Sequence, residues 1–279
     1  MLLFDTAAAM RAARETVAQG ERVALAPTLG GLHAGHRALL RAARGQCDTL
    51  VASVFLNPTQ FGDDEDLTAY PADREADLAV LEEEGVDVAF APTAEEMYPE
   101  NTGVQVDPGP LGKVLEGASR PGHFRGVATV VAKLFSVIRP HAAFFGEKDA
   151  QQLRLIRRLN TELLFGIQIV PVATVRELDG LALSSRNRYL TLEEREAAPV
   201  LYNALWAAQR EWDAGERDPE RLARAMRAIV NAEPRARLDY AEIVDPESMG
   251  ELQEVSGPAL AVIAAWIGRA RLIDNIMLR

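Results

Sequence analysis

The chain has 279 residues, of which 48% are hydrophobic and 25% charged, and its formal net charge is −11. This length and composition predict a globular protein of about one to two domains, and the negative charge argues against a broad surface for DNA or RNA, so we expect no nucleic-acid partner. The single cysteine, Cys47, allows no intrachain disulfide and no long apolar run predicts a membrane span, so we expect a cytoplasmic protein with no membrane partner.

The first predicted element is a helix that Asp5 or Thr6 caps. Met10, Ala13 and Val17 fall on one face of this helix, which is typical of a face that packs against the rest of the protein. We interpret the helix as a structural element.

A strand, a tight turn and a second helix are predicted next. The apolar run 23–26 is the strand, residues 27–36 contain the turn and the start of the helix, and a helical spacing of apolar residues continues to Arg44. Gly30 and Gly31 let the backbone approach a ligand. Because the first amides of a helix have no intrahelical partners, we expect them to point outward and bind a phosphate group.

His33 and His36 lie three residues apart at the start of this helix, so both side chains are expected on one face of its first turn. Two interpretations follow: the imidazoles donate to a bound phosphate, or one caps the helix while the other packs against the protein. The order of strand, glycine turn and His-x-x-His resembles the HxGH signature of the adenylyl-transferring superfamily that includes the class I aminoacyl-tRNA synthetases. This resemblance favours nucleotide binding and leaves the substrate open.

The next predicted strand, at 49–56, ends in two amide side chains, Asn57 and Gln60. Ligands bind at the carboxyl ends of strands in open α/β sheets, and these amides suit a polar uncharged group such as a hydroxyl. The alternative is an Asn-Pro turn with a solvated glutamine. The acidic run 63–66 lacks the spacing of a calcium loop, and we interpret it as a solvated loop rather than a metal site.

Strands and helices continue to alternate, which predicts an α/β protein with a parallel, doubly wound sheet. The pattern predicts helices at 73–84, 123–138 and 150–159, and strands at 86–91, 142–145 and 167–172. Residues 92–122, rich in proline and glycine, form an excursion from the sheet that contains Arg120, a candidate anion clamp.

Charged residues follow the strand predicted at 142–145. Lys148 can place a compact positive charge on a transferring phosphate group. Asp149 has three interpretations that stay open, because it can cap the next helix, hold a nucleotide hydroxyl or contact a metal.

The loop 174–187 contains Ser184, Ser185 and Arg186, two hydroxyls and a cation that together suit a phosphate group. The alternative is an ordinary surface turn, in which paired serines are common.

Beyond residue 188 the order of the predicted elements changes. Helices around 192–213 and 219–231 precede strands at 238–245, 259–267 and 271–278, which predicts a smaller α+β domain with an antiparallel sheet. We therefore predict two domains, residues 1–175 and 176–279.

Taken together, five segments resemble the pantothenate synthetase (pantoate–β-alanine ligase) family, in the expected order and over nearly the whole chain. The segments are PTLGGLHAGH, SVFLNPTQF, LEGASRPGHFRGV, FFGEKDAQQL and TVRELDGLALSSRN. The resemblance implies a Rossmann-like domain for nucleotide and pantoate, a smaller C-terminal α+β lid domain and a homodimer. It implies ATP-dependent condensation of (R)-pantoate with β-alanine in the presence of Mg2+, through a pantoyl adenylate, with release of AMP and pyrophosphate, as part of pantothenate and coenzyme A biosynthesis.

The resemblance also implies roles for individual residues. The implied catalytic residues are His36, His33, Lys148 and Arg186, and the implied pantoate-binding residues are Gln60 and Gln152, with Asn57 supporting that pocket. ATP would lie against Leu29, Gly30, Gly31, Leu32, His33, Ala34, Gly35, His36, Gly146, Glu147, Lys148, Asp149, Val175, Leu183, Ser184, Ser185 and Arg186. No protein ligand of Mg2+ is implied, since this ion is held mainly by substrate phosphates and water.

Two positions depart from the family pattern. Leu29 stands where methionine is common, a change that conserves volume. Ala72 stands where arginine is common, so any role of that arginine is missing or falls to Arg74. The alternatives to the ligase are another HxGH-type adenylyltransferase, which leaves AMP on its product, and a noncatalytic nucleotide sensor.

Overall fold

The computed structural model describes residues 1–16, 20–62, 65–100 and 103–279. The predictions for Val17, Asp63 and Asp64 lie outside the described residues. The chain divides into two compact units. The first comprises Met1–Glu147 and Gln151–Ala173, and the second comprises Lys148–Ala150 and Thr174–Arg279. The functional division predicted between residues 175 and 176 stays a prediction.

The first unit is built on one sheet with helices between its strands. Its strands are β1 Leu2–Phe4, β2 Val23–Thr28, β3 Thr49–Val54, β4 Val88–Phe90, β5 Ala142–Gly146 and β6 Gln168–Val172. Its helices are α1 Ala7–Glu15, α2 Ala34–Arg44, α3 Arg74–Glu83, α4 Ala94–Met97, α5 Glu116–Ser119, α6 His123–Ile138 and α7 Ala150–Glu162. Short 3-10 helices lie at Pro58–Gln60, Gly109–Lys113 and Glu147–Asp149.

All strand pairs in this sheet are parallel, in the order β1-β4-β3-β2-β5-β6. The central strands β2 and β3 pair in register from Val23 with Thr49 to Thr28 with Val54. Both strands are mostly buried and read as continuous apolar runs, which is typical of parallel strands covered on both faces. The predicted α/β fold with a doubly wound parallel sheet is confirmed.

The strand order reverses between β2 and β5. The chain leaves β2 towards β3 on one side, whereas β5 pairs with the other edge of β2. Open α/β sheets bind ligands outside the carboxyl ends of strands at such a reversal. The predicted nucleotide segments 29–36 and 146–147 follow the two strands that meet there.

Helices α2 and α3 are fixed to the sheet and to each other. In α2, Leu39 and Leu40 are buried in the core. The guanidinium groups of Arg37 and Arg41 pair with the buried carboxylate of Glu84, just after α3, at 2.8 and 2.7 Å. These hydrogen bonds, that of Arg41 first, hold the pKa of Glu84 below its ordinary value. The ion pairs therefore join the middle of α2 to the C-terminal end of α3.

The second unit carries an antiparallel sheet in the order β7-β8-β9, as predicted. These strands are β7 Ala236–Val244, β8 Ala259–Ile267 and β9 Ala270–Leu278. A 3-10 helix at Ser185–Tyr189 precedes the helices α8 Leu192–Ala197, α9 Val200–Asp213 and α10 Pro219–Asn231. Leu205, Met226 and Ile263 are fully buried in its core.

Several element boundaries differ from the prediction. The edge strand β1 is not predicted, because three residues carry no readable periodicity. Helix α2 begins at Ala34, earlier than its apolar spacing indicates, because His33 caps it. The helix predicted around 192–213 is two helices, since Pro199 has no N–H to continue the first. No helix in the described part of the chain has the length and apolar character needed to cross a membrane.

Candidate functional site

The turn after β2 depends on two glycines with positive φ. Gly30 has φ +90° and Gly31 has φ +66°, a region that residues with a side chain rarely adopt. A Cβ atom on Gly30 would also lie 2.8 Å from Oδ2 of Asp77. Only glycine therefore fits at position 30 without moving the backbone or Asp77.

Asp77 of α3 is a buried carboxylate that holds this turn. Its Oδ2 accepts from the N–H of Gly31 at 2.9 Å, and its Oδ1 accepts from the N–H of Leu32 at 2.7 Å. These two amides precede the N-cap His33 and are satisfied by an internal carboxylate, whereas the expectation that the first amides of the helix itself bind a phosphate stays a prediction. No sequence motif singled out Asp77; the available signal was its position four residues before Leu81, on the buried face of α3.

His33 and His36 form the cap of α2 and lie against each other. The Nδ1 atom of His33 accepts from the N–H of Gly35 at 3.1 Å, and Nδ1 of His36 accepts from the N–H of His33 at 3.3 Å. Their ring centroids are 4.1 Å apart. Because both Nδ1 atoms act as acceptors, each ring carries its proton on Nε2. The capping interpretation is confirmed for His33, and it is compatible with donation from Nε2 to a phosphate.

Asn57 is fully buried and uses its whole side chain inside the turn that follows β3. Its Oδ1 accepts from the backbone and hydroxyl of Thr59, and its Nδ2 donates to Oε1 of Gln60 at 3.1 Å and to the carbonyl of Gly126 at 3.2 Å. Asn57 therefore fixes the turn and the Gln60 amide. The alternative of a solvated glutamine is wrong, because Gln60 is only 6% exposed.

The amide nitrogen of Gln60 stays available as a hydrogen-bond donor. With Oε1 held by Asn57, its Nε2 has no acceptor within hydrogen-bond distance among the described residues. The hydrogen bond from Asn57 thus sets the orientation of the Gln60 amide, while Nε2 can donate to a ligand.

A buried histidine supports the backbone of Gln60. The Nδ1–H of His123 donates to the carbonyl of Gln60 at 2.8 Å, and its Nε2 faces Nη1 of Arg120 at 3.1 Å. Burial, reinforced by Arg120, lowers the pKa of His123 to about 4. Arg120 also forms two hydrogen bonds to the carboxylate of Glu65, one of them at 2.8 Å. The guanidinium of Arg120 is thus paired within the protein, and its prediction as a clamp for a bound anion stays a prediction.

Two adjacent glutamines of α7 have different positions. Gln152, the predicted pantoate ligand, is half-buried. Gln151 is 4% exposed; its Nε2 donates to the carbonyls of Leu111 and Val114, and its Oε1 accepts from the N–H of Glu116. Gln151 thus fixes the loop after the Gly109–Lys113 helix, a role that nothing in its sequence environment indicated.

The predicted residues after β5 are divided between the units. Gly146 ends β5 and Glu147 begins the following 3-10 helix, both in the first unit, whereas Lys148 and Asp149 group with the second. The Nζ atom of Lys148 lies 3.4 Å from Oδ1 of Asp149, and the carbonyl of Lys148 accepts from Nδ2 of Asn275 at 2.9 Å.

The second unit presents the predicted serines and arginine at the end of a hairpin. The N–H of Leu183 donates to the carbonyl of Val175 at 2.9 Å, which closes the loop between these two residues. Ser184 caps the next 3-10 helix, its Oγ accepting from the N–H of Arg186 at 3.3 Å. Ser185 is buried. One continuous segment, the closed loop and the 3-10 helix that follows it, therefore contains Val175, Leu183 and the set Ser184–Arg186.

The described residues contain no group of three or more His, Cys, Asp and Glu side chains placed to hold a metal ion. Mg2+ is commonly held by phosphates and water with one or two carboxylates. A magnesium ion that arrives on a nucleotide does not need a larger protein cluster.

Known proteins resemble this chain over its full length. A family model described as pantoate-beta-alanine ligase matches residues 2–277. The pantothenate synthetase of Roseiflexus sp. (strain RS-1) is 52% identical, covering 100% of this chain and 99% of the relative. The crystal structure of pantothenate synthetase from Thermus thermophilus has 48% identity and a TM-score of 0.93, with 99% of each chain covered.

A third similarity is to a structure with ligands. The pantoate-beta-alanine ligase from Francisella tularensis, complexed with beta-gamma ATP and beta-alanine, has 32% identity and a TM-score of 0.82, covering 99% of this chain and 97% of that one. The matches agree with one another and with the fold described above. The chain therefore belongs to the pantoate-beta-alanine ligase family and is an enzyme of the ligase class.

Proposed function

We propose that the chain joins pantoate to β-alanine in two steps, through a pantoyl adenylate, with release of pyrophosphate and then AMP. ATP-dependent synthesis of pantothenate is the activity of the family to which the chain belongs. The observation that supports the mechanism is the glycine turn and histidine-capped helix at the reversal point of the sheet. A helix start in that position is a common site for phosphate groups.

In the first step, a carboxylate oxygen of pantoate attacks the α-phosphorus of ATP, and the bond from this phosphorus to the oxygen of the β-phosphate breaks. Negative charge grows on the departing pyrophosphate, so fixed cations and N–H or O–H donors lower the barrier. We assign this stabilisation to His33, His36, Lys148, Ser184, Ser185 and Arg186. The histidines suit it because backbone N–H groups occupy Nδ1 and leave the proton on Nε2.

We assign pantoate to Gln60 and Gln152. Gln60 suits this role because Asn57 holds its Oε1, so Nε2 points in a defined direction and can donate to a pantoate oxygen. A fixed donor keeps the attacking carboxylate in line with the phosphorus, which is a positioning contribution to the rate. Asn57 acts through Gln60 and is a positioning residue.

In the second step, the neutral amine of β-alanine attacks the acyl carbon of the adenylate. The bond from that carbon to the phosphate oxygen breaks, AMP leaves, and the new amide loses one proton. An imidazole such as that of His36 suits proton movement near neutral pH, but we assign it chiefly to phosphate contacts.

The remaining predictions are part of the same proposal. ATP would also lie against Leu29–Leu32, Ala34, Gly35, Gly146, Glu147, Asp149, Val175 and Leu183. When bound, Mg2+ would neutralise charge on the phosphates, with Asp149 as the adjacent carboxylate of this chain. We further propose a homodimer, because symmetric dimers are the commonest oligomers, and a cytoplasmic location, which suits a chain with one cysteine. Light scattering of the purified protein tests the dimer.

The test is to incubate the purified chain with ATP, Mg2+ and pantoate, with and without β-alanine. We expect sustained AMP release only with β-alanine, and pantothenate in the product by mass spectrometry. Pantoate labelled with 18O in its carboxylate should transfer one labelled oxygen to AMP, since the adenylate bond breaks at the acyl carbon. AMP without label would contradict the adenylate, and a stable adenylylated product would favour the HxGH-type adenylyltransferase instead.

The variants His36→Ala and Lys148→Ala should each lower kcat/KM strongly while the protein remains folded. Gly257→Ala is a matched control, because no atom lies within 4 Å of a Cβ built on this residue. ATP binding without any pyrophosphate or AMP release by the wild-type chain would favour the nucleotide sensor.

A further inference from the structure

Strand β9 carries two adjacent polar residues, Asp274 and Asn275, that belong to none of the motifs described above. Asp274 is only 4% exposed. Its carboxylate accepts two hydrogen bonds from the guanidinium of Arg176, at 2.5 and 2.8 Å. Paired, planar contacts of this kind define both distance and orientation.

Arg176 fixes the hairpin that leads to Ser184. Its guanidinium also donates to the carbonyl of Gly180 at 3.0 Å and lies 4.5 Å from the ring centroid of Tyr202 in α9. Gly180 itself has φ +92°, and a Cβ there would lie 2.7 Å from Cγ of Tyr202. The hairpin is thus packed against α9 and bonded to β9 at the same point.

The hairpin continues directly into the proposed phosphate-binding set. Arg176 and Ala182 form an antiparallel bridge, and Leu183 bonds to Val175 immediately beyond it. The next three residues are Ser184, Ser185 and Arg186. The ion pair between Arg176 and Asp274 fixes the position of the hairpin, and the hairpin in turn fixes the position of Ser184.

Asn275 holds Lys148 to the same strand. Its Nδ2 donates to the carbonyl of Lys148 at 2.9 Å across 127 positions of sequence. The N–H of Asn275 also donates to Oδ1 of Asp274 at 2.8 Å. One pair of neighbouring side chains on β9 consequently contacts Lys148 and the hairpin that leads to the set Ser184–Arg186.

We propose that Asp274 and Asn275 are positioning residues that hold Lys148 and the set Ser184–Arg186 in one fixed arrangement for the polyphosphate of ATP. This inference rests on the proposed function of those residues. Lys148 has a long flexible side chain, so fixing its backbone removes one source of disorder at the ammonium group. Electrostatic stabilisation depends on such preorganisation, because donors that must move into place lose part of their effect.

The decisive variant is Asn275→Ala, which removes the bond to Lys148. We expect its dissociation constant for ATP to rise by about three- to tenfold, as for loss of one hydrogen bond, while those for AMP and pantoate change less than about twofold. Titration calorimetry of the purified full chain with ATP, AMP and pantoate gives the three constants. Asn275→Thr suits a strand and serves as the second variant with the same expectation.

The matched control is Asp239→Asn, which breaks another ion pair of β9, between Asp239 and Arg271 at 2.6 Å. It should leave the three dissociation constants unchanged. In a double-mutant cycle, Asn275→Ala should have no further effect on ATP binding once Lys148→Ala is present, because the ammonium group that Asn275 positions through the backbone carbonyl of residue 148 is then absent.

Two results would overturn the inference. One is an unchanged ATP constant in both Asn275 variants; the other is equal weakening of ATP, AMP and pantoate binding, which indicates a merely structural role. If the wild-type chain makes pantothenate and Lys148→Ala loses ATP affinity while the Asn275 variants do not, only this inference fails. If the wild-type chain makes no pantothenate, the proposed function fails.

Discussion

Gly126 of α6 offers a sharp test of the proposed pantoate site, because it lies against the 3-10 helix that carries Gln60. A Cβ at position 126 would lie 2.6 Å from the backbone nitrogen of Gln60 and closer still to the carbonyl of Thr59. The carbonyl of Gly126 also accepts from Nδ2 of Asn57. Gly126→Ala therefore pushes on backbone atoms, which cannot rotate away as a side chain can.

The magnitude follows from these distances. Ordinary van der Waals contact begins at 3.4 Å, so the turn or α6 must move by about 1 Å. Overpacking of this kind costs about 1–3 kcal/mol in the free energy of unfolding. A shift of about 1 Å in a substrate-positioning group can lower the rate about 10²-fold. We therefore expect a folded variant whose kcat/KM for pantoate falls by about that factor.

The assay is pantoate-dependent AMP release at saturating ATP and β-alanine, together with urea unfolding. The KM for ATP should change much less than the KM for pantoate, because Gly126 contacts the Asn57–Gln60 turn. Gly257→Ala controls for the added methyl group. A folded Gly126→Ala enzyme with kcat/KM for pantoate within about twofold of wild type would refute the reasoning.

Three further predictions concern the first unit. Asp77→Asn places an amide N–H2 against a backbone N–H, so we expect a loss of about 1–3 kcal/mol in urea unfolding and a higher KM for ATP; unchanged values for both would contradict the role of Asp77. The pKa of His123 is lowered to about 4 in the folded protein, so the unfolded chain binds this proton at a higher pH than the folded chain does. The free energy of unfolding should therefore decrease by on the order of 3 kcal/mol as the pH falls from about 6.5 to about 4. Urea unfolding of His123→Gln should lack this slope. Leu40→Ala removes a fully buried side chain and should cost about 2–5 kcal/mol, measured the same way, with little effect on KM if the site is intact.

Much of the fold could be predicted from local sequence. The run 23–26 and the alternation of apolar strands with helices indicated a parallel sheet, because central strands buried on both faces need continuous apolar residues. The strand at Ala259–Ile267 was predicted with its observed bounds. The short edge strand β1 could not be predicted, because its residues are largely exposed and too few to show a period.

The sequence also placed the candidate functional residues at the ends of strands. His33 and His36 follow β2, and Asn57 and Gln60 follow β3. The sequence could not show which of these side chains form hydrogen bonds within the protein. Asn57 carries an amide that could bind a ligand, yet both of its polar atoms bond within the protein.

By itself, the sequence determined the fold class, the strand ends that carry polar residues, and the resemblance of five segments to one family, because these depend on local spacing and residue type. Only the tertiary structure decided which polar groups support those segments. Asp77 meets Gly31 across 46 positions, and Asn275 meets Lys148 across 127. Such pairs leave no periodic signal, because a buried hydrogen bond between distant residues is set by how the strands and helices pack.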